Sequence, residues 1–185
     1  MRTGSDVSVS SACVRTSDGL QVFYRDQSQG ILLGATKVSG QWNYEIVDGD
    51  ESSIVRTNGD VAFHLKALNI GDTVYLLYDS VNTVNMENKP IRGEVRLATR
   101  SSANPADWSY QSVQSFGGLT AVAGFDVSLL QQGKYIYAAW LTASGFSIPN
   151  ADQLTWSLIT PITSAVAIST KSYGTPAAPL SLGDK

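Results

Sequence analysis

Three residues that can take part in acid–base or hydrogen-bonding chemistry recur at one position of a repeated pattern. Ser10, His64 and Asp126 each lie fourteen residues before an aromatic residue that ends or nearly ends an apolar run: Tyr24, Tyr78 and Trp140. An imidazole beside a carboxylate can exchange protons with a bound molecule or hold its hydroxyl groups. His64 and Asp126 are therefore candidate catalytic residues, and all three are candidate ligand-binding residues. The alternative is that they are equivalent strand-end residues that satisfy backbone groups of nearby loops.

Two long polar segments extend the same connection in consecutive copies of the pattern. They are SVNTVNMENKPIRG at 80 to 93 and TASGFSIPNAD at 142 to 152. Because the two connections are equivalent, we expect them to lie on one face of the protein. Their largely uncharged hydrogen-bonding groups suit a polyol, which adds five candidate ligand-binding residues: Asn82, Asn85, Asn88, Arg92 and Asn150. The alternative is an ordinary surface loop.

The remaining reactive residue types predict structural roles. The single histidine has no histidine or cysteine partner at a ligand spacing, so neither a metal nor another cofactor is expected. The single cysteine, Cys13, lies between Ala12 and Val14, which predicts a small buried side chain. Three acidic residues fall where solvated or turn-capping roles predominate: Asp26, Asp79 and Glu94.

The elements that position these residues are short strands that recur. QVFYRD at 21 to 26, TVYLLYDS at 73 to 80 and KYIYAAWL at 134 to 141 repeat one another, and each is followed by a second apolar run. Apolar residues occupy both faces of these runs, which is typical of strands covered on both sides. WNYEIVD at 42 to 48 alternates instead and predicts a half-exposed outer strand. Trp42 and Trp108 mark this outer strand and are expected to pack between the repeats.

Each repeat contains four such strands, so the sequence predicts an all-β protein. The fold class is a β-propeller-like array of about three four-stranded antiparallel blades in a single domain that spans residues 1–185. The repeat units cover approximately residues 5–50, 60–115 and 121–170, and a C-terminal tail follows at 171–185. The alternative is a two-sheet β-sandwich, although a sandwich does not require strands to recur in register.

The second repeat, with DTVYLLYDS, GEVRLATRS and DWSY, resembles a blade of the sugar-handling propellers, including five-bladed furanosidase-type glycosidases. The first repeat, DGLQVFYRDQSQGILLGATKVSGQWNYEIVD, resembles the blades of fungal fucose-binding lectins. These resemblances imply a sugar-handling protein, and the leading hypothesis is a non-catalytic carbohydrate-binding module that associates with itself to complete its fold. The alternatives are a glycoside hydrolase, or a fragment of one, with Asp126 as an essential acid, and a purely structural array of blades for protein interaction. The sugar clamp that recurs in those lectins is not repeated here, because the aligned positions hold Arg25, Asp79 and Leu141.

The number of repeats also predicts a partner. Closed propellers have about four to eight blades, so three repeats favour self-association, with a dimer preferred, or a missing partner segment. A formal net charge of −3 without a basic stripe argues against nucleic acid as a partner. No run approaches the roughly 18 apolar residues of a membrane span, so no membrane partner is expected. The N-terminal MRTGSDVSV lacks the apolar core of a signal peptide; the composition is compatible with secretion and assigns no compartment.

Overall fold

A computed structural model describes residues 7–57, 59–84, 90–101, 104–116, 121–132, 135–144, 153–159 and 169–173 of the chain. These residues form three four-stranded antiparallel sheets, each with its strands in chain order. The first sheet contains β1 (Val7–Thr16), β2 (Gly19–Asp26), β3 (Ile31–Val38) and β4 (Gln41–Asp48). The second contains β5 (Asp60–Ile70), β6 (Thr73–Val84), β7 (Pro90–Arg100) and β8 (Ser109–Phe116), and a short 3₁₀ helix, Pro105–Asp107, precedes β8. The third contains β9 (Ala121–Gln132), β10 (Tyr135–Ser144), β11 (Gln153–Ile159) and β12 (Ser169–Tyr173).

The all-β prediction with three four-stranded antiparallel units is therefore confirmed, and the described strands do not form the two sheets of a sandwich. None of the helical structure within the described ranges is long and apolar enough to cross a membrane.

The second sheet lies between the other two, because its strands are apolar on both faces. Along β6, alternate residues belong to two different buried clusters: Val74, Leu76 and Tyr78 to one, Tyr75 and Leu77 to the other. The first cluster includes side chains of the first sheet, namely Val14, Phe23, Leu32 and Val47. The second includes side chains of the third sheet, namely Ala123, Val127, Ile136, Ala138 and Trp140. Full burial of side chains of this size contributes about 1.5–3 kcal/mol each, so both inter-sheet contacts are substantial.

The first strand of every sheet carries the same β-bulge. Between two regular pairs, three residues of the first strand lie opposite one residue of the second strand. The bulged segments are residues 8–10 of β1, 62–64 of β5 and 124–126 of β9, and the residues opposite them are Arg25, Asp79 and Leu141. Ser10, His64 and Asp126 are thus the last residues of three equivalent bulges.

Two predictions about individual side chains were wrong for one physical reason. Trp108 packs between sheets, at 7% exposure, as expected, but Trp42 is 39% exposed on the outer face of the first sheet. Cys13 is exposed, whereas its neighbour Val14 is buried. Adjacent strand residues point to opposite faces, and only one face of the first sheet packs on the second sheet.

Candidate functional site

The bulge of β5 is held by Asp79, the residue of β6 that lies opposite it. The Oδ1 atom of Asp79 accepts a hydrogen bond from the backbone N–H of His64 at 2.8 Å, and its Oδ2 atom lies 3.2 Å from Nδ1 of the His64 ring. A bulge leaves backbone groups without ladder partners, so this carboxylate replaces a missing strand–strand contact. Asp79 is 5% exposed, and β6 continues beyond it to Val84. The expected solvated or turn-capping role of Asp79 near an outer loop is therefore wrong.

The β9 bulge of the third sheet packs against Asp79, the residue that binds His64. Gly124 has a φ of 90°, and a Cβ atom at this position would lie 2.6 Å from the Cβ atom of Asp79. Glycine is thus required both by the backbone conformation and by the close approach of the two sheets. The contact places Asp126, two residues further along β9, near His64. The charge of Asp126 therefore acts on the His64 imidazole from the neighbouring sheet.

The proton affinity of His64 reflects these neighbours. The hydrogen bond to Asp79 raises the pKa of the His64 imidazole, and partial burial opposes this effect. The charge of Asp126 and the backbone of Gly124 raise this pKa further. The His64 side chain is 40% exposed, so it can still meet a ligand.

Arg25 holds the same β5 bulge from the first sheet. It is 3% exposed, and its Nη1 donates to the carbonyl oxygen of Val61 at 2.6 Å while its Nη2 donates to Oδ1 of Asp60 at 3.0 Å. Its guanidinium lies 3.8 Å from the centroid of the Phe63 ring, which is a cation–π contact. Arg25 and Asp79 thus fix the second bulge from two sides.

We refer to Arg25, Phe63, His64, Asp79 and Asp126 as the bulge cluster. Arg25 and Asp79 are buried, and they position Phe63 and His64, respectively. Phe63 is 39% exposed, and Asp126 is also exposed. The accessible groups are an aromatic ring, an imidazole with raised proton affinity and a carboxylate. They offer an apolar surface and a donor on the β5 bulge and an acceptor on the β9 bulge.

The structure locates the backbones of three other predicted site residues, Ser10, Asn82 and Arg92. Ser10 is 8% exposed at the equivalent bulge of the first sheet. The backbones of Asn82 and Arg92 lie in β6 and β7. Three further residues fall outside the described ranges: Asn85, Asn88 and Asn150.

The repeat pattern in the sequence could have identified two cluster residues that were not predicted as site residues. Arg25 and Asp79 directly follow the repeated aromatic residues Tyr24 and Tyr78, so they occupy one register position. That position lies opposite the bulge in each sheet. Phe63 has no such signal, because its exposure depends on the bulge itself.

No family model matches this chain, and no curated protein matches its sequence. Within the described residues, no three side chains of His, Cys, Asp or Glu are grouped in a way that could hold a metal ion. A function must therefore be inferred from the bulge cluster itself.

Proposed function

We propose that this chain is a carbohydrate-binding module whose ligand contacts the bulge cluster. The observation that carries the proposal is the exposed ring of Phe63, held by the buried guanidinium of Arg25 on the same bulge as His64, whose imidazole interacts with the charge of Asp126. A sugar presents C–H groups on one side and hydroxyl groups at its rim. An aromatic surface with an adjacent donor and carboxylate acceptor complements both.

Rigidity of the cluster further supports binding. The side chains that hold it are buried, and they form hydrogen bonds of 2.6 to 3.0 Å to the strand backbone or to a neighbouring carboxylate. A site that is ordered before its ligand arrives loses less conformational entropy on binding. Positions on sheet strands, rather than on loop tips, give the ligand-contacting groups this order.

Hydrolysis of a glycoside is less well supported than binding. It requires a second carboxyl group across the scissile bond from Asp126. Asp79 shares His64 with Asp126, but its side chain is 8% exposed and both of its oxygens are directed to His64. Asp79 is therefore suited to position the imidazole and not to contact a substrate.

The test is a glycan array probed with the purified full chain, followed by calorimetry on each retained glycan. We expect Phe63→Ala to weaken binding by roughly threefold to tenfold, since an aromatic contact contributes about 0.5–1.5 kcal/mol. Asp126→Asn should also weaken binding, because it replaces a charged acceptor. Ile54→Ala is the matched control, since Ile54 is a fully exposed apolar residue between β4 and β5.

Two results would overturn the proposal. One is the absence of retention of any glycan, which would instead favour a purely structural array. The other is a retained glycan whose affinity is the same for the wild type, Phe63→Ala and Asp126→Asn. Hydrolysis of aryl glycosides that is abolished by Asp126→Asn would support the hydrolase alternative.

A further inference from the structure

The two inter-sheet contacts in this chain use equivalent residues in the same hydrogen bond. The aromatic residue of the second sheet, Tyr78, donates its hydroxyl to Oδ2 of Asp48 in the first sheet at 2.5 Å. The equivalent residue of the third sheet, Trp140, donates its Nε1–H to Oε1 of Gln114 in the second sheet. Asp48 and Gln114 are themselves equivalent, since each directly follows a register shift in the last strand pair of its sheet. The second and third sheets therefore each pack on the preceding sheet in the same head-to-tail manner.

On the second sheet, the face that packs on the preceding sheet is completed by three side chains. Arg100 donates through Nη1 to both carboxylate oxygens of Glu45 at 2.6 Å, and Trp108 donates through Nε1 to Oε2 of Glu45 at 2.9 Å. Tyr110 donates its hydroxyl to the carbonyl oxygen of Val47 at 2.5 Å. Trp108 also meets the ring of Phe23 edge to face at 5.8 Å. These contacts join the second sheet to the first.

The first sheet has the same three positions, but no described sheet lies in front of them. Trp42 is the counterpart of Trp108, and the amino group of Lys37 lies 5.8 Å from its ring centroid, as the Arg100 guanidinium lies 4.3 Å from Trp108. Tyr44 pairs with Ala35 as Tyr110 pairs with Ala98. Trp42 is 39% exposed and Tyr44 is 58% exposed, whereas Trp108 is 7% exposed. We call the face with Leu20, Trp42 and Tyr44 the leading face.

The third sheet has the complementary open surface. In the second sheet, Leu77 is fully buried against the third sheet, and Leu68 packs on the same cluster. Leu68 pairs with Tyr75, and in the third sheet Leu130 pairs with Tyr137 at the equivalent positions. Leu130 is nevertheless 61% exposed. We call the face with Leu130 and Tyr137 the trailing face.

We propose that two copies of this chain associate head to tail, with the leading face of each packed on the trailing face of the other. We infer a second copy as the partner because each chain has one open leading face and one open trailing face. Faces of these two kinds already pack on each other twice within the chain. Two equal contacts related by a twofold axis would cover both open faces at once and close a ring of six sheets. Exposed aromatic residues such as Trp42 and Tyr44 are typical anchors of such an interface.

The thiol of Cys13 can report on this interface in the wild-type protein. Cys13 is exposed, and it lies on the leading face because Cys13, Val22, Ala35 and Tyr44 are directly opposite one another on successive strands. The association predicts a solution mass of about twice 19.8 kDa by light scattering. It also predicts that the rate of thiol modification at Cys13 falls as the protein concentration rises. Both quantities can be measured on the wild-type chain.

Two variants separate head-to-tail association from other dimers. Leu130→Glu on the trailing face is expected to give a monomer and to expose Cys13, although residue 130 lies in a different sheet. Tyr44→Glu on the leading face should also give a monomer. An equal mixture of the two variants should regain a dimer, because one wild-type contact forms between them. Ile54→Glu, a fully exposed position on neither face, should leave the dimer intact.

Several outcomes would overturn the proposal. One is a mass of 19.8 kDa at every concentration with Cys13 equally reactive throughout. Another is a dimer that Tyr44→Glu disrupts and Leu130→Glu does not, because two leading faces would then meet each other. A mixture of the variants that stays monomeric would also contradict head-to-tail association. Both substituted positions are exposed, and circular dichroism of each variant checks that it is folded.

Discussion

Replacement of Gly124 by alanine is expected to lower the free energy of unfolding by about 2–5 kcal/mol. Gly124 has a φ of 90°, a conformation that costs an L-residue about 1–2 kcal/mol. The added methyl group would lie 2.6 Å from Cβ and 3.3 Å from Cα of Asp79, and 3.3 Å from Cγ2 of Val95. Overpacking of this kind typically costs about 1–3 kcal/mol, because backbone must move. The third sheet would then shift away from Asp79 and His64.

Two matched variants divide this loss into its parts. Gly40→Ala has a nearly identical φ of 85° and no atom within 4 Å of the new methyl group, so it isolates the backbone strain of about 1–2 kcal/mol. Ala62→Gly alters the equivalent bulge position of the second sheet, where φ is 60° and the methyl group is fully buried. Relief of strain there is offset by lost burial of about 0.8 kcal/mol and by the flexibility of glycine. Its net effect should lie within about 1 kcal/mol.

The assay is urea unfolding of the four proteins, the wild type included, with linear extrapolation to water. If Gly124→Ala loses no more stability than Gly40→Ala, the close approach of Asp79 to the third bulge is not energetically important. The reasoning about the bulge cluster would then be refuted. Loss of stability in Ala62→Gly beyond about 2 kcal/mol would refute the view that residue 62 is strained.

Two further predictions concern charged groups. Because the pKa of the His64 imidazole is raised in the folded state, its contribution to stability is complete below the unfolded pKa of 6.5 and is lost as pH rises through the folded pKa. The free energy of unfolding measured across this range should therefore decrease with rising pH. His64→Gln should remove this pH dependence. Asp48→Ala should cost about 3–5 kcal/mol in urea unfolding, because Tyr78 and Thr57 lose a fully buried acceptor and Arg96 loses a buried ion-pair partner. Asp50→Ala, which removes the pair with Arg56 and two solvent-exposed hydrogen bonds from Ser52, should cost at most about 1 kcal/mol and serves as its control.

The repeated aromatic positions were readable from the sequence because packing fixes their type. Tyr78 and Trp140 must be large, apolar on the ring and able to donate one hydrogen bond to the preceding sheet. Strands with apolar residues on both faces, such as VYLLY, must likewise be covered twice, and β6 is. The hydrogen bond to a preceding sheet recurs in the second and third sheets, whereas double coverage is seen for the second sheet.

The bulges could not be read in the same way. A bulge is a difference in residue count between two paired strands, and the fourteen-residue spacing is the same whether the extra residues lie in a turn or in a strand. A glycine at position 124 indicates a positive φ, but the equivalent residue of the second sheet, Ala62, has a φ of 60° and is not a glycine. The polar run Asp79–Ser80 indicated the end of a strand, yet the carboxylate of Asp79 was needed inside, opposite the bulge.

The three residues opposite the bulges explain why the described residues contain one such cluster. Arg25 and Asp79 both reach the β5 bulge, and Asp79 also contacts Gly124 of the β9 bulge. Leu141, opposite the third bulge, has no charged group with which to hold an imidazole or a carboxylate. In a ring of two copies, the junction between copies would join Leu141 to the bulge that contains Ser10. That junction would be a packing contact without a second cluster, so a dimer would bind two ligands, one for each chain.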